Sequence, residues 1–136
     1  MSEKTATHGT YIYLGQSTIP NAGRGVFAGK PIAEEELIEE CPMITLSPDA
    51  VQHLDKTELA NYYFEWGKKF DGAAIALGYG SLYNHSFKPN AYFDQDFKKH
   101  VVRIYALTDI AVDEEITFNY NGDPEDDTKL WIEGIQ

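Results

Sequence analysis

One cysteine, Cys41, is the whole thiol complement of this 136-residue chain. A disulfide within the chain is therefore impossible, and a zinc cluster built from several thiolates is excluded. A reducing compartment suits this composition. Histidine is also sparse: His85 has no companion at metal-ligand spacing, and His8, His53 and His100 are scattered, so no metal is expected. Basic residues are few, with 11 Lys and Arg against 22 Asp and Glu and a formal net charge of −11. Such a surface repels a nucleic-acid backbone, so no direct nucleic-acid binding is expected. The same charge would attract a basic protein or peptide and speed its encounter, or would only keep the chain soluble. No apolar run is long enough to span a bilayer, so no membrane partner is expected. Met1 to Thr10 lacks the apolar stretch of a signal peptide. Residues 1–10 read as a frayed tail, and the expected location is intracellular, in cytoplasm or nucleus.

What is present points to one domain. Apolar residues make up 43% of the chain, enough for a single core. Strand signals dominate. Tyr11 to Leu14 is β-prone, Pro20 to Gly25 is turn-rich, and Val26-Phe27-Ala28 reads as a short strand. Glu34-Glu35-Glu36 reads as a solvated turn before a strand over Leu37 to Glu40, which Cys41 would end. Cys41 itself fits a small buried hydrophobe better than a nucleophile. Met43 to Leu46 would continue the sheet. Ser47-Pro48-Asp49 has the chemistry of a helix start and predicts a helix over about Pro48 to Ala60, with a break near Asp55. Tyr62 to Trp66 returns to strand character, Lys68 to Asp71 suits a hairpin turn, and Ala73 to Leu77 is a short apolar run. Ala91 to Asp94 and Val101 to Leu107 flank a polar connection, as in a hairpin. Ile116 to Tyr120 alternates, which puts Ile116, Phe118 and Tyr120 on one face. Many short strands and few helices imply a mainly β fold with irregular connections.

Three stretches are more specific than this pattern. They are Gly23-Arg24-Gly25-Val26-Phe27-Ala28, then Tyr83-Asn84-His85-Ser86-Phe87-Lys88-Pro89-Asn90, then Asp113-Glu114-Glu115-Ile116-Thr117-Phe118-Asn119-Tyr120. Gly23 and Gly25 would let the main chain come close to a ligand, or would serve an ordinary turn. Asn84 carries a donor and an acceptor, and His85 two ring nitrogens; either could be satisfied structurally. Tyr120 ends a strand, where an aromatic is commonly a core or rim residue. Glu114 and Glu115 precede that strand and are expected to face solvent.

The three motifs, in this order, resemble the SET-domain family, over nearly the whole chain. The likeness is to its minimal, zinc-free viral and bacterial members. It implies a SET fold of several small sheets with short helices and a C-terminal knot-like core, an exception to the rule against threading. It divides the chain into residues 1–10, a SET domain over 11–122 and a C-terminal tail over 123–136. It implies S-adenosylmethionine as methyl donor, held by Gly23, Arg24, Gly25, Asn84 and His85, with Tyr120 as the catalytic tyrosine. The reaction implied is methylation of a lysine amine on a protein.

Lysine has a reference pKa of about 10.4, so the amine must lose a proton before it can attack. A positive sulfonium and an apolar channel both favour the neutral amine. The family's channel aromatics map onto Tyr62 or Tyr63, between which the sequence does not choose, and onto Phe93 and Phe118. With Phe at both latter positions, the resemblance implies a di- or trimethyl-lysine product. Larger relatives close the channel with a zinc-bearing, cysteine-rich segment, which this chain lacks. Leu130-Trp131-Ile132 is the candidate substitute; Trp131 would otherwise pack on the core or in a homodimer. A histone tail fits the family and the charge. A catalytically silent module that binds peptide or donor, or an enzyme for another protein or a small amine, remains the alternative.

Overall fold

A computed structural model describes residues 11–130 of the protein; the expected N-terminal tail and Trp131 lie outside them. Nine short strands dominate: β1 (Ile12–Gln16), β2 (Arg24–Ala28), β3 (Leu37–Leu46), β4 (Phe64–Trp66), β5 (Gly72–Ala76), β6 (Asn84–His85), β7 (Ala91–Asp96), β8 (Val101–Ala106) and β9 (Glu115–Phe118). The one α-helix among the described residues is α1 (Pro48–Leu54), and 3-10 turns cover Glu58–Asn61 and Gly80–Leu82. No helix among them is long and apolar enough to cross a membrane. The mainly β expectation holds.

The strands form two sheets, ordered β1-β2-β9-β6 and β4-β5-β3-β8-β7. In the first, Tyr13 stands opposite Phe27 and their rings stack at 5.6 Å. The hairpin between them is closed by Ser17 N–H donating to the Gly23 carbonyl, with Gly23 at φ +74°. In the second, β3 runs straight through Cys41, which does not end it. Leu37 to Pro42 pairs with β8, and Met43 to Leu46 pairs with β5. Pro42, which has no N–H to give, sits at this change of partner and so leaves no gap in the ladder.

The predicted helix is broken at Asp55, as expected, and only its first part is α-helical. α1 stops at Leu54, and a separate 3-10 turn follows, capped by the Thr57 hydroxyl accepting from Leu59 N–H. Ser47 holds the N-cap position, but its side chain makes no capping bond. β4 begins at Phe64, so Tyr62 and Tyr63 stand before the strand rather than in it.

β9 lies inside the first sheet, antiparallel to β2 and parallel to β6, with Asn84 opposite Thr117 and His85 opposite Phe118. Ile116, Thr117, Phe118 and Asn119 are all buried, so neither face of this segment is solvated, unlike the two-faced strand that the alternation suggested. Asn90 fastens it further: its amide donates to the Glu115 carbonyl and its oxygen accepts from Thr117 N–H, both at 2.9 Å. The core between the sheets holds Val26, Ile38, Val102, Ile104 and Ile116, with Ile32 and Ile110 joined by a bridge. The edge strands of the second sheet curl toward each other. Gln95 Nε2 on β7 donates to the Glu65 carbonyl on β4, and Phe64 meets Phe93 edge-on at 5.1 Å.

Candidate active site

The turn Gly23-Arg24-Gly25 and the segment Tyr83-Asn84-His85 meet although far apart in the chain. Asn84 Nδ2 donates to the Arg24 carbonyl at 2.9 Å. Each glycine has its own reason. Gly23 needs its left-handed backbone, and nothing lies within 4 Å of where a Cβ would stand. Gly25 needs space, because a Cβ there would run into the Glu115 carboxylate and the Asn84 amide. The room over Gly25 is thus taken by side chains of the chain itself.

Glu115 is the residue that the sequence reading missed. It is not solvent-facing but half-buried. Its carboxylate accepts from Ser17 Oγ, Thr18 N–H and Thr18 Oγ1, and from Asn84 Nδ2 at 2.9 Å. Glu114 faces the other way, accepting from Ala111 N–H and Asn90 Nδ2. Local sequence gives no sign of this difference, since the partners of Glu115 are 31 to 98 residues away.

His85 is buried, and its Nδ1 accepts the main-chain N–H of Tyr120 at 3.1 Å. Burial pushes the imidazole below its ordinary value, so it is neutral. With Nδ1 accepting, the proton sits on Nε2, a buried donor with no partner among the described residues. The Tyr120 hydroxyl in turn donates to the Tyr83 carbonyl at 2.6 Å. Burial first, then the neighbouring Tyr62 phenol and Glu115, push Tyr120 well above the ordinary phenol range. Its proton stays on.

Beside Tyr120 opens a chamber of about 560 Å³, lined among others by Tyr62, Tyr63, Phe64, Phe93, Phe118 and Tyr120. The channel aromatics named from the resemblance, Tyr62, Tyr63, Phe93 and Phe118, are all in this wall with Tyr120. Phe118 is buried at the centre, 4.9 Å from Phe93, 5.3 Å from Tyr83 and 6.0 Å from Tyr120. Tyr62 is largely exposed at the mouth. The Tyr63 hydroxyl donates to Asp55 at 2.9 Å, which, after burial, raises it to about 12. Tyr62 is therefore the phenol whose field reaches Tyr120, while the Tyr63 hydroxyl is committed to Asp55, itself in the chamber wall. Among the described residues, no lysine or arginine lines the wall.

Behind the chamber lies Glu39, a fully buried carboxylate also unforeseen. It accepts from Tyr83 OH at 2.8 Å and Tyr79 N–H at 2.9 Å, and it fills the space left by Gly78. Burial and Glu39 push the Cys41 thiol up, which leaves it inert as a nucleophile. Past Tyr120, Asn119 Nδ2 donates to the Asp126 carbonyl and Asn121 Nδ2 to the Thr128 carbonyl, ending at a buried Leu130.

The family model described as the SET domain matches residues 23–121. The sequence is 37% identical over 112 residues to the histone-lysine N-methyltransferase, H3 lysine-37 specific, of Schizosaccharomyces pombe, which covers 82% of this chain and 71% of that protein. The structure is similar to that of a Plasmodium falciparum protein assigned to the histone methyltransferases, with TM-score 0.63 and 32% identity, covering 82% of this chain and 93% of the other. It is also similar in fold to part of the Chaetomium thermophilum Polycomb Repressive Complex 2 in an autoinhibited conformation bound to S-adenosylmethionine. There the TM-score is 0.70 at 23% identity, over 82% of this chain and 15% of that one.

Proposed function

The chain belongs to the SET-domain family and is an S-adenosylmethionine-dependent protein-lysine N-methyltransferase, and from that premise we propose which residues carry the reaction. The observation that supports this reading best is the aromatic chamber with the Tyr120 hydroxyl fixed at its side.

In this reading Gly23, Arg24, Gly25, Asn84 and His85 hold the methyl donor. When bound, S-adenosylmethionine supplies an electrophilic methyl group on a positively charged sulfur. The residues present suit it. Among the described residues, His85 Nε2–H is a buried donor without an acceptor, and Gly23 leaves open space beside the turn. Tyr120 is the catalytic residue. It is too firmly protonated to act as a base, and its proton is committed to the Tyr83 carbonyl. What it offers is oxygen lone pairs, which accept an N–H of the lysine amine and so aim the nitrogen lone pair. Tyr62, Tyr63, Phe93 and Phe118 form the wall of the lysine channel, exclude water and favour the neutral amine. Trp131, outside the described residues, closes the channel from the tail.

The substrate in this reading is a basic histone tail. The charge of −11, a chamber wall without cations and the histone-methylating relative support it. Such a substrate would be met in the nucleus. The two phenylalanines favour di- or trimethyl-lysine, and two copies of the chain pair through their aromatics; sedimentation showing only monomer would remove the pairing.

The test is transfer from labelled S-adenosylmethionine to core histones and to a panel of basic and non-basic peptides, with Tyr120→Phe in parallel. Transfer to basic acceptors, with a loss on the order of a hundredfold in the variant, is the expected result. Binding of the donor without transfer to any acceptor would point to a silent module, and no donor binding would remove the assignment of Asn84 and His85.

A further inference from the structure

We propose that Glu115 is a positioning residue that fixes the side-chain amide of Asn84 so that only an acceptor is left for the donor's ammonium group. The inference rests on the reading of Asn84 as a donor-binding residue.

A side-chain amide has two faces of opposite polarity. Its nitrogen gives two N–H donors and its oxygen accepts, and rotation by 180° exchanges them. A free asparagine beside a ligand can thus greet either a cation or an anion. Asn84 is not free in this sense. Nδ2 donates to the Arg24 carbonyl and to Glu115 Oε2, both at 2.9 Å. Both partners are acceptors only, so the flipped amide would set oxygen against oxygen twice. The two amide protons are consumed, and no donor among the described residues meets Asn84 Oδ1. The group complementary to a lone acceptor is an N–H cation. S-adenosylmethionine carries one such group, the ammonium of its amino-acid portion.

Glu115 is itself held in place. Ser17 Oγ at 2.9 Å, Thr18 N–H at 3.1 Å and Thr18 Oγ1 at 3.2 Å all donate to it. Each is in the β1–β2 hairpin, so the carboxylate clamps that hairpin to Asn84 across β9. Gly25 is the complementary feature: a side chain there would displace the Glu115 carboxylate and the Asn84 amide together. The missing side chain of the motif's second glycine is thus what makes room for this clamp.

The experiment compares two ligands by calorimetry on the full chain. S-adenosylhomocysteine carries the ammonium; 5′-methylthioadenosine lacks the whole amino-acid portion. Glu115→Gln can donate as well as accept, so it releases the amide orientation. It is expected to weaken S-adenosylhomocysteine about ten- to a hundredfold while leaving methylthioadenosine within about twofold. Equal weakening of both ligands would make Glu115 a mere support for the hairpin, and unchanged affinity for both would overturn the proposal outright. Should the parent chain bind neither ligand, the donor-site reading itself fails and the proposal with it. A measurement independent of how well the variant folds is hydrogen exchange of the Asn84 side-chain amide by NMR in the parent protein. Both protons are expected to be protected without ligand; fast exchange of either would overturn the clamp.

Discussion

The main-chain N–H of Tyr120 is received by the imidazole of His85 at 3.1 Å, and the two rings lie 5.3 Å apart. This bond exists only while Nδ1 is bare. Protonation would put two donors face to face and push Tyr120 away from the Tyr83 carbonyl.

A pH dependence follows. Burial lowers the folded-state value of His85 below the ordinary 6.5. Above about pH 6.5 the ring is neutral in folded and unfolded chains alike, and the full stability is present. As the pH falls from there toward the lowered folded value, the unfolded chain takes up a proton first and stability is lost. The carboxylates with lowered values, Glu36, Asp96 and Asp126, titrate further to the acid side. His85→Asn offers an amide oxygen in place of Nδ1 and does not titrate. Thermal melts of parent and variant are expected to diverge between pH 7 and 5, with the parent falling more steeply. Parallel curves would show that His85 carries no such role.

In the proposed lysine channel, Phe118 sets how much room the amine has. It is buried between Phe93, Tyr83 and Tyr120. A hydroxyl added at this wall would hold a water or fill space that a second methyl group needs. Phe118→Tyr and Phe93→Tyr are both expected to accumulate monomethyl-lysine, where the parent proceeds to di- or trimethyl-lysine, read by mass spectrometry at exhaustive turnover. Phe93 is only half-buried, so its variant should lose little stability. The Phe118 variant should lose about 1–3 kcal/mol if its hydroxyl finds no partner. A parent that stops at monomethyl-lysine would refute the product assignment.

Glu39 supports the site from behind. It is 1% exposed and is the acceptor for Tyr83 OH and Tyr79 N–H. Glu39→Leu leaves the buried Tyr83 hydroxyl and the half-buried Tyr79 N–H unmet, and is expected to cost about 2–5 kcal/mol in denaturant unfolding. Glu39→Gln keeps one acceptor and should cost less. If the leucine variant is as stable as the parent, the buried carboxylate does not hold Tyr83.

The sequence and the structure agree where chemistry is local and part where it is not. Turn residues around Gly23 and the β7–β8 hairpin were legible because Gly and strand alternation act within a few residues. The chamber aromatics were legible only through the motifs, since nothing local brings Tyr62, Phe93 and Tyr120 together. Glu115 and Glu39 were not legible at all. One was expected in solvent beside Glu114, the other was read only as part of a strand, and each is defined by partners between 31 and 98 residues away. The break near Asp55 was legible but its cause was not: Thr57 offers its hydroxyl as a new cap and starts a second, 3-10 turn.

Tyr120 stands between two asparagines that grip the same C-terminal segment. Asn119 holds the Asp126 carbonyl, and Asn121 holds the Thr128 carbonyl at 2.8 Å. Asn119 is buried with the core, whereas Asn121 lies at the chamber wall. Any cover supplied by Trp131 would be anchored through this grip and through buried Leu130. Asn121→Ala and Trp131→Ala are each expected to raise KM for the peptide about tenfold while the melting temperature changes little. If the grip acts through Trp131, the double variant should be no worse than the poorer single one, because each removes the same cover. Multiplying effects would mean that Asn121 and Trp131 serve the site separately. Unchanged kinetics in Trp131→Ala would remove the closing role from that residue and assign it to the core or to a homodimer.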